Sequence, residues 1–402
     1  MQDLSWTPVT ATSARNLARF PLEGVRVLEF AHVAAGPFAG MLLADMGADV
    51  VKVEAPSGDQ MRGWPPLAYA EDGTSFSHNF ASINRNKRSI VADLKDPQQR
   101  ARVQKLCAET DVIMENYRPG VLDRLGLGYD EVSQDHRGLV YCSISGYGLS
   151  SPNAQRGAYD VVIQGMSGLM SVTGPAGGDP VKCGVPVGDF IAGLYAAYTT
   201  AATLPGVRES GQSVHIDCPM LDCLIATSAL QTSEYWGSGI EPRAMGSAHP
   251  RNAPYQAFQA SDRMFVVAAG NDRLWHGVCV ATGSEHLITD PRFTTQSQRV
   301  AHQDQLAAVL QERFSTKPAE YWLIELERQA VPCGPVNTFG DVLADPHIHA
   351  TGLVREIDVP IAGKVPTVVF PARVSGLPSR LEHCPPTLGA DTEDVFTEWG
   401  IA

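Results

Sequence analysis

The first half of the chain alternates between two hydrophobic rhythms. Gly24-Val-Arg-Val-Leu-Glu-Phe30 is a short β-branched run, Phe38–Met46 a small-residue helical run ended by Gly47, and Asp49-Val-Val-Lys-Val-Glu54 a second strand-like run. Strand, helix and strand at this spacing form a βαβ unit, which predicts a parallel sheet. Ser89–Lys95, Asp111–Glu115 and Leu139–Ser145 continue the strands, with helices over Pro97–Glu109 and near Val121–Leu125. The fold class is therefore α/β: a Rossmann-like large domain with an open, twisted sheet covered on both faces.

The rhythm changes near Asp222. Cys223–Gly237 reads as helical, and Tyr255–Ala260 and Met264–Ala269 flank Ser261-Asp262-Arg263 as two strands around a tight turn. Helical runs follow near Asp272–Ala281, Arg299–Phe314 and Pro318–Gln329; then Val331-Pro-Cys-Gly-Pro-Val336 breaks the pattern. We read a large domain over 1–222, a region of different pattern over 223–332, and a return to the large domain over 333–402. Leu353–Val359 with Val365–Phe370 predicts a hairpin, and Asp391–Trp399 a closing helix.

A length of 402 residues fits two domains, and 44% apolar with 19% charged residues describes a globular protein. A net charge of -13 argues against nucleic acid as a partner, which needs a basic stripe. The eight cysteines form no C-x-x-C pair, Cys218 and Cys223 coming nearest to a motif; scattered thiols predict a reducing compartment, the cytoplasm. The polar opening Met1–Arg19 does not read as a secretory signal, and no apolar run reaches membrane-spanning length, so no membrane partner is expected.

The stretch Lys182-Cys-Gly-Val-Pro-Val-Gly-Asp189 sets one carboxylate before Phe190–Leu204, a segment apolar or small on every side and predicted as a helix buried all round. Asp189 has two readings. It is a structural N-cap, accepting from unpaired backbone N–H groups, or it is a nucleophile toward a carbonyl, with backbone donors steadying the oxyanion. The loop Ala31-His-Val-Ala-Ala-Gly-Pro37 lacks G-x-G-x-x-G, so a dinucleotide reading leaning on Glu54 has little support.

Several long motifs in order resemble the family III CoA-transferases, which include formyl-CoA transferase, the carnitine CoA-transferase and α-methylacyl-CoA racemase. They are Gly24–Pro37, Leu43–Glu54, Gly58-Asp-Gln-Met-Arg62, Asn84-Arg-Asn-Lys-Arg-Ser89, Glu115-Asn-Tyr-Arg-Pro-Gly120, Leu122-Asp-Arg-Leu-Gly126, Gly188-Asp189 and Pro332-Cys-Gly-Pro-Val336. The resemblance implies an interlocked homodimer and a nucleophile at Asp189, which would carry an acyl group as an anhydride and then CoA as a thioester. It implies a smaller inserted α+β domain over 223–332, and as substrates an acyl-CoA, succinyl-CoA being the donor of many relatives, and a small carboxylic acid, with no permanently bound cofactor and no metal.

Carried over by motif, the CoA contacts fall on Ala92, Asp93, Leu94, Lys95, Asn116, Tyr117 and Arg124. Lys95 and Arg124 suit phosphates and Tyr117 an adenine face; the plainer readings are solvated charges and a half-buried aromatic. Where some relatives place a basic residue after the strand-end acid this chain has Ala55, which turns attention to Arg62 or the Asn84–Arg88 cluster for that phosphate. The shielding loop corresponds to Met245–Pro250, where Gly246 offers freedom and His249 is either an acceptor ligand or an ordinary loop residue. Arg156, Arg243 and Arg251 are further candidates for an acceptor carboxylate.

A racemase needs a base and an acid on opposite sides of the α-carbon. Its histidine position falls on Tyr159 and its accompanying acid on Asn271, so transfer is favoured, with racemisation and non-catalytic nucleotide binding as alternatives. Asp160 is a candidate supporting acid.

Overall fold

A computed structural model describes residues 19–134, 136–359 and 361–401. All but the last residue of the Met1–Arg19 arm lies outside them. The chain divides into two compact units, and each is described by itself: residues up to 169 with 183–230 and 349 onward, and residues 170–182 with 231–348.

The first unit is built on six parallel strands. In chain order they are β1 (Arg26–Phe30), β2 (Asp49–Glu54), β3 (Lys87–Val91), β4 (Val112–Glu115), β5 (Val140–Ser145) and β6 (Val214–Pro219), arranged β3-β2-β1-β4-β5-β6. Val27 on β1 stands opposite Val50 on β2 and Val112 on β4. Because neighbours along a strand point to opposite faces, Val27 and Val50 enter one core and Leu28 and Val51 the other.

The first core lies under helices α1 (Ala35–Asp45) and α4 (Val187–Ser210), where Ala39, Leu43, Ala192, Ala196 and Leu204 pack on the sheet. The second lies under α2 (Pro97–Ala108) and the final helix Thr392–Glu398, through Val103, Leu106, Val395 and Phe396. Helix α2 starts where Asp96 accepts from Gln98 and Gln99, with Pro97 in the first turn. Between β5 and α4 lies α3 (Asp160–Met166). The C-terminal segment covers edge strand β3: the Ser89 N–H donates to Asp391 and the Val91 N–H to the Thr392 hydroxyl.

The second unit holds an antiparallel sheet of Tyr255–Gln259, Met264–Ala268 and Cys333–Pro335, wrapped by helices Asp272–Thr282, Gln303–Phe314 and Ala319–Arg328. The Val331–Val336 break supplies the third strand of that sheet, Gly334 lying opposite Val266, and the chain stays in this unit to Ile348.

Two local expectations are corrected. The apolar helix is longer than Phe190–Leu204 and is not buried all round: Leu194 is 56% and Tyr198 69% exposed. Its apolar residues serve the sheet on one side and are left uncovered by this chain on the other, a distinction that composition cannot make.

Candidate active site

The strand order reverses between β1 and β4, and in open α/β sheets ligands bind outside the carboxyl ends of the strands at such a switch. Here two loops are tied together. The His32 N–H donates to Asn116 Oδ1 at 2.9 Å, Asn116 Nδ2 donates to the His32 carbonyl at 2.8 Å, and His32 Nε2 lies 2.7 Å from the Tyr117 hydroxyl. Burial, and then the nearby Lys52 charge, holds the imidazole below its usual range, so at neutral pH the ring is uncharged beside the phenol. The Tyr117 N–H donates to Glu115 Oε2 at 2.8 Å; burial pushes the Glu115 carboxyl up to about 7.

Ala92–Lys95 follow β3 on the same edge, three strand spacings from β4, or roughly 14 Å. Asp93 shapes this loop: its carboxylate accepts the Lys95 N–H, and its own N–H donates to Gln99 Oε1. Ala92 is buried, Leu94 half-buried, and Lys95 and Arg124 are exposed. The two fallbacks for a phosphate contact are corrected. Arg62 grips Glu54 through two nitrogens at 2.7 and 2.6 Å, donates to the Pro386 carbonyl and lies over Phe80. Asn84, Arg85, Asn86 and Lys87 are buried, and Arg88 is paired with Asp49 and Glu398. These donors are consumed inside the fold.

Asp189 is the third residue of α4, and so is not its N-cap, which is Pro186. The capping is done from another helix. Asp160 Oδ1 accepts the Gly188 N–H at 2.8 Å and Oδ2 accepts Gln164 Nε2 at 2.7 Å; the fully buried Gln164 in turn accepts the Cys183 N–H. A Cβ at Gly188 would stand 3.0 Å from Asp160 Oδ1, so glycine admits this contact. The half-buried Asp189 carboxylate accepts no hydrogen bond from any described residue. Burial, and then repulsion from Asp160, pushes it up to about 7. One turn on, a Cβ at Gly193 would stand 2.6 Å from the Ala35 carbonyl, and the Phe190 ring lies 4.8 Å from Phe38. Residues four apart share a helix face, so Asp189 lies on the face turned to the start of α1.

Residues 22–392 match CoA-transferase family III. The chain belongs to that family. It is 39% identical over 381 residues to the succinate–glutarate CoA-transferase of Agrobacterium fabrum, covering 94% of this chain and 95% of that protein. It is 38% identical to the human succinyl-CoA:glutarate CoA-transferase, covering 98% and 89%. A CAIB/BAIF family protein from Brucella suis has a similar crystal structure: TM-score 0.85, 40% identity, 95% of this chain and all of that one. This family III protein is thus a CoA-transferase.

The other candidates of this CoA-transferase are spread more widely. Arg156 is exposed in the first unit, with Nη1 3.4 Å from Asn153 Oδ1, and Tyr159 is 77% exposed beside Asp160. Gly246 and His249 belong to the second unit. Gly246 has φ 62° and donates to the Gly174 carbonyl at 2.8 Å; with Glu234 and Arg243 it lines a cavity of 540 Å³. His249 Nδ1 accepts the Arg251 N–H, and burial lowers its pKa. Asn271 caps a helix by accepting the Leu274 N–H. Sequence reasoning missed His32 and the cap at Asp160. His32 sits inside a quoted motif, whereas Asp160 reaches Gly188 only through the tertiary fold.

Proposed function

We propose that this CoA-transferase moves CoA from succinyl-CoA to a small dicarboxylic acid through Asp189. The donor and the acceptor class are supported by the names of relatives: glutarate, mesaconate and D-citramalate occur with succinyl-CoA, and oxalate with acetyl-CoA. The observation that carries the chemistry is the Asp189 carboxylate, unengaged and half-buried on the face turned to α1.

An Asp189 oxygen attacks the thioester carbonyl, the C–S bond breaks, and a mixed anhydride and CoA thiolate remain. The thiolate attacks the aspartyl carbonyl, releases the donor acid and leaves CoA on Asp189 as a thioester. The acceptor carboxylate attacks that thioester, and the thiolate returns to the acceptor's acyl carbon, regenerating the carboxylate. No proton is consumed, and water must be kept from both intermediates. Ala92–Lys95, Asn116, Tyr117 and Arg124 hold the CoA moiety, which is a substrate and not a resident cofactor. Gly246, His249 and Arg156 are proposed on the acceptor side.

The working form is an interlocked homodimer, a reading supported by the exposed Leu194 and Tyr198 on α4 and by a first unit assembled from both chain ends. Its eight cysteines are all thiols, which suits the cytoplasm. The test is to incubate the enzyme with succinyl-CoA and trap with hydroxylamine. A hydroxamate at residue 189 is expected; its absence, or turnover by Asp189→Asn, would refute the mechanism.

A further inference from the structure

Three consecutive residues of the loop between β1 and α1 are clamped from three directions. Lys52 Nζ donates to the Ala31 carbonyl at 2.6 Å, Asn116 holds both backbone groups of His32, and the Val33 N–H donates to the two oxygens of Asp59 at 3.1 and 3.3 Å. Val33 has φ 62°. A β-branched residue in the left-handed region is a genuine outlier and persists only where its surroundings over-determine it.

Asp59 is what over-determines it. It is 2% exposed, accepts the Met61 N–H at 2.9 Å, and lies 3.0 Å from Lys52 Nζ. Lys52 is fully buried and also pairs with Glu29, whose other oxygen pairs with the buried Lys87 at 2.7 Å. Burial would raise the Asp59 pKa, but Lys52 and the Met61 N–H outweigh it and hold the group ionised. The acceptor that fixes Val33 is thus a buried carboxylate whose own position is set by ion pairs.

Val33, Phe38 and Phe190 each pack against one apolar cluster of Met41, Met61, Phe80 and Ile83, and Phe190 directly follows Asp189. We propose that Asp59 is a positioning residue for the transfer reaction: by holding Val33 at positive φ it sets the apolar cluster on which Phe190 also rests, and through Phe190 the nucleophilic carboxylate of Asp189. This rests on the Asp189 reading above and adds to it a residue whose effect passes entirely through a strained neighbour.

The test uses that strain. Asp59→Glu keeps the negative charge beside Lys52 but moves the acceptor, and Val33→Gly keeps the backbone free to adopt positive φ while removing the side chain that packs on the cluster. With succinyl-CoA and glutarate, D59E is expected to lower kcat at least tenfold, with the dissociation constant for CoA changed less than threefold. V33G is expected to show a comparable loss, and the D59E/V33G double variant to lie within threefold of the slower single variant, because both changes disable the same contact. Wild-type kcat in D59E overturns the proposal, and so do single-variant losses that multiply in the double variant, since a purely structural counter-ion role would be independent of residue 33. Should D59E not fold, Val33→Pro leaves the buried ion pair intact while forbidding positive φ and removing the N–H. It is expected to lose kcat by about a hundredfold, and retention of kcat overturns the inference. D189N is assayed alongside: turnover there sinks the Asp189 reading, whereas an inactive D189N beside a fully active D59E sinks only this one.

Discussion

Gly193 lies one helical turn beyond Asp189, and its Cα faces the Ala35 carbonyl so closely that an added Cβ would stand 2.6 Å from that oxygen. Helix α4 therefore approaches the start of α1 at a distance only glycine permits. Gly193→Ala should push the helices apart and shift Asp189 with them. The expected cost is about 1–3 kcal/mol of stability, despite alanine's better helix propensity, with at least a tenfold loss of kcat. Urea unfolding and steady-state kinetics check both; unchanged kcat would show that the Asp189 face tolerates displacement.

A carboxyl raised to about 7 in the folded state, against 3.8 in a free side chain, binds a proton more readily folded than unfolded. Its contribution to stability is present at low pH and lost as pH rises through about 4 to 7. Asp189→Asn removes that loss. The variant should be more stable than the wild type at pH 8, by on the order of 2 kcal/mol, and no more stable near pH 4. Chemical denaturation at the two pH values measures the difference.

The nucleophile is the ionised form, so acylation by succinyl-CoA should rise with pH through an acid limb near 7. Asp160 contributes to that elevation by repulsion. Asp160→Asn should move the limb to lower pH while its remaining oxygen still accepts from Gly188. Asp160→Ala should also lose the cap, at about 1 kcal/mol. Rapid-quench rates of adduct formation across pH 5–9 distinguish the two variants, and an unmoved limb in Asp160→Asn would dismiss the electrostatic role.

Tyr117→Phe keeps the ring and deletes the hydroxyl 2.7 Å from His32 Nε2. The loss is one hydrogen bond of about 1 kcal/mol. We expect KM for acyl-CoA to rise roughly fivefold, with kcat changed less than twofold. Steady-state titration of succinyl-CoA is sufficient to check this.

The parallel sheet was legible because its strands are short β-branched runs between glycines and helical stretches, and Asp49–Glu54 was bounded correctly from those residues alone. Helix breaks were not legible. Cys223–Gly237 divides into Met220–Thr227 and Ala229–Ser238, where Thr227 and Ser228 hydroxyls donate back to the Cys223 and Leu224 carbonyls. Arg299–Phe314 divides at His302, whose ring bonds the Gln298 carbonyl. Near Val121–Leu125 only a single 3-10 turn forms, over Asp123–Leu125. At the site, Asp189 and its glycine stood out in sequence. The groups that orient its surroundings, Asp160, Gln164, Asp59 and Lys52, are separated from their targets by strands and helices and become neighbours only once the sheet is built.

The Ser89–Asp391 clasp also bears on how the protein is made. Residues 231–348 leave the ribosome before the peptide that shields the outermost strand. Until those last residues emerge, Lys87–Val91 presents bare backbone donors and acceptors, an edge on which nascent chains can pair with one another. A stop codon shortly before Gly389 would therefore yield insoluble polypeptide instead of a weakened enzyme.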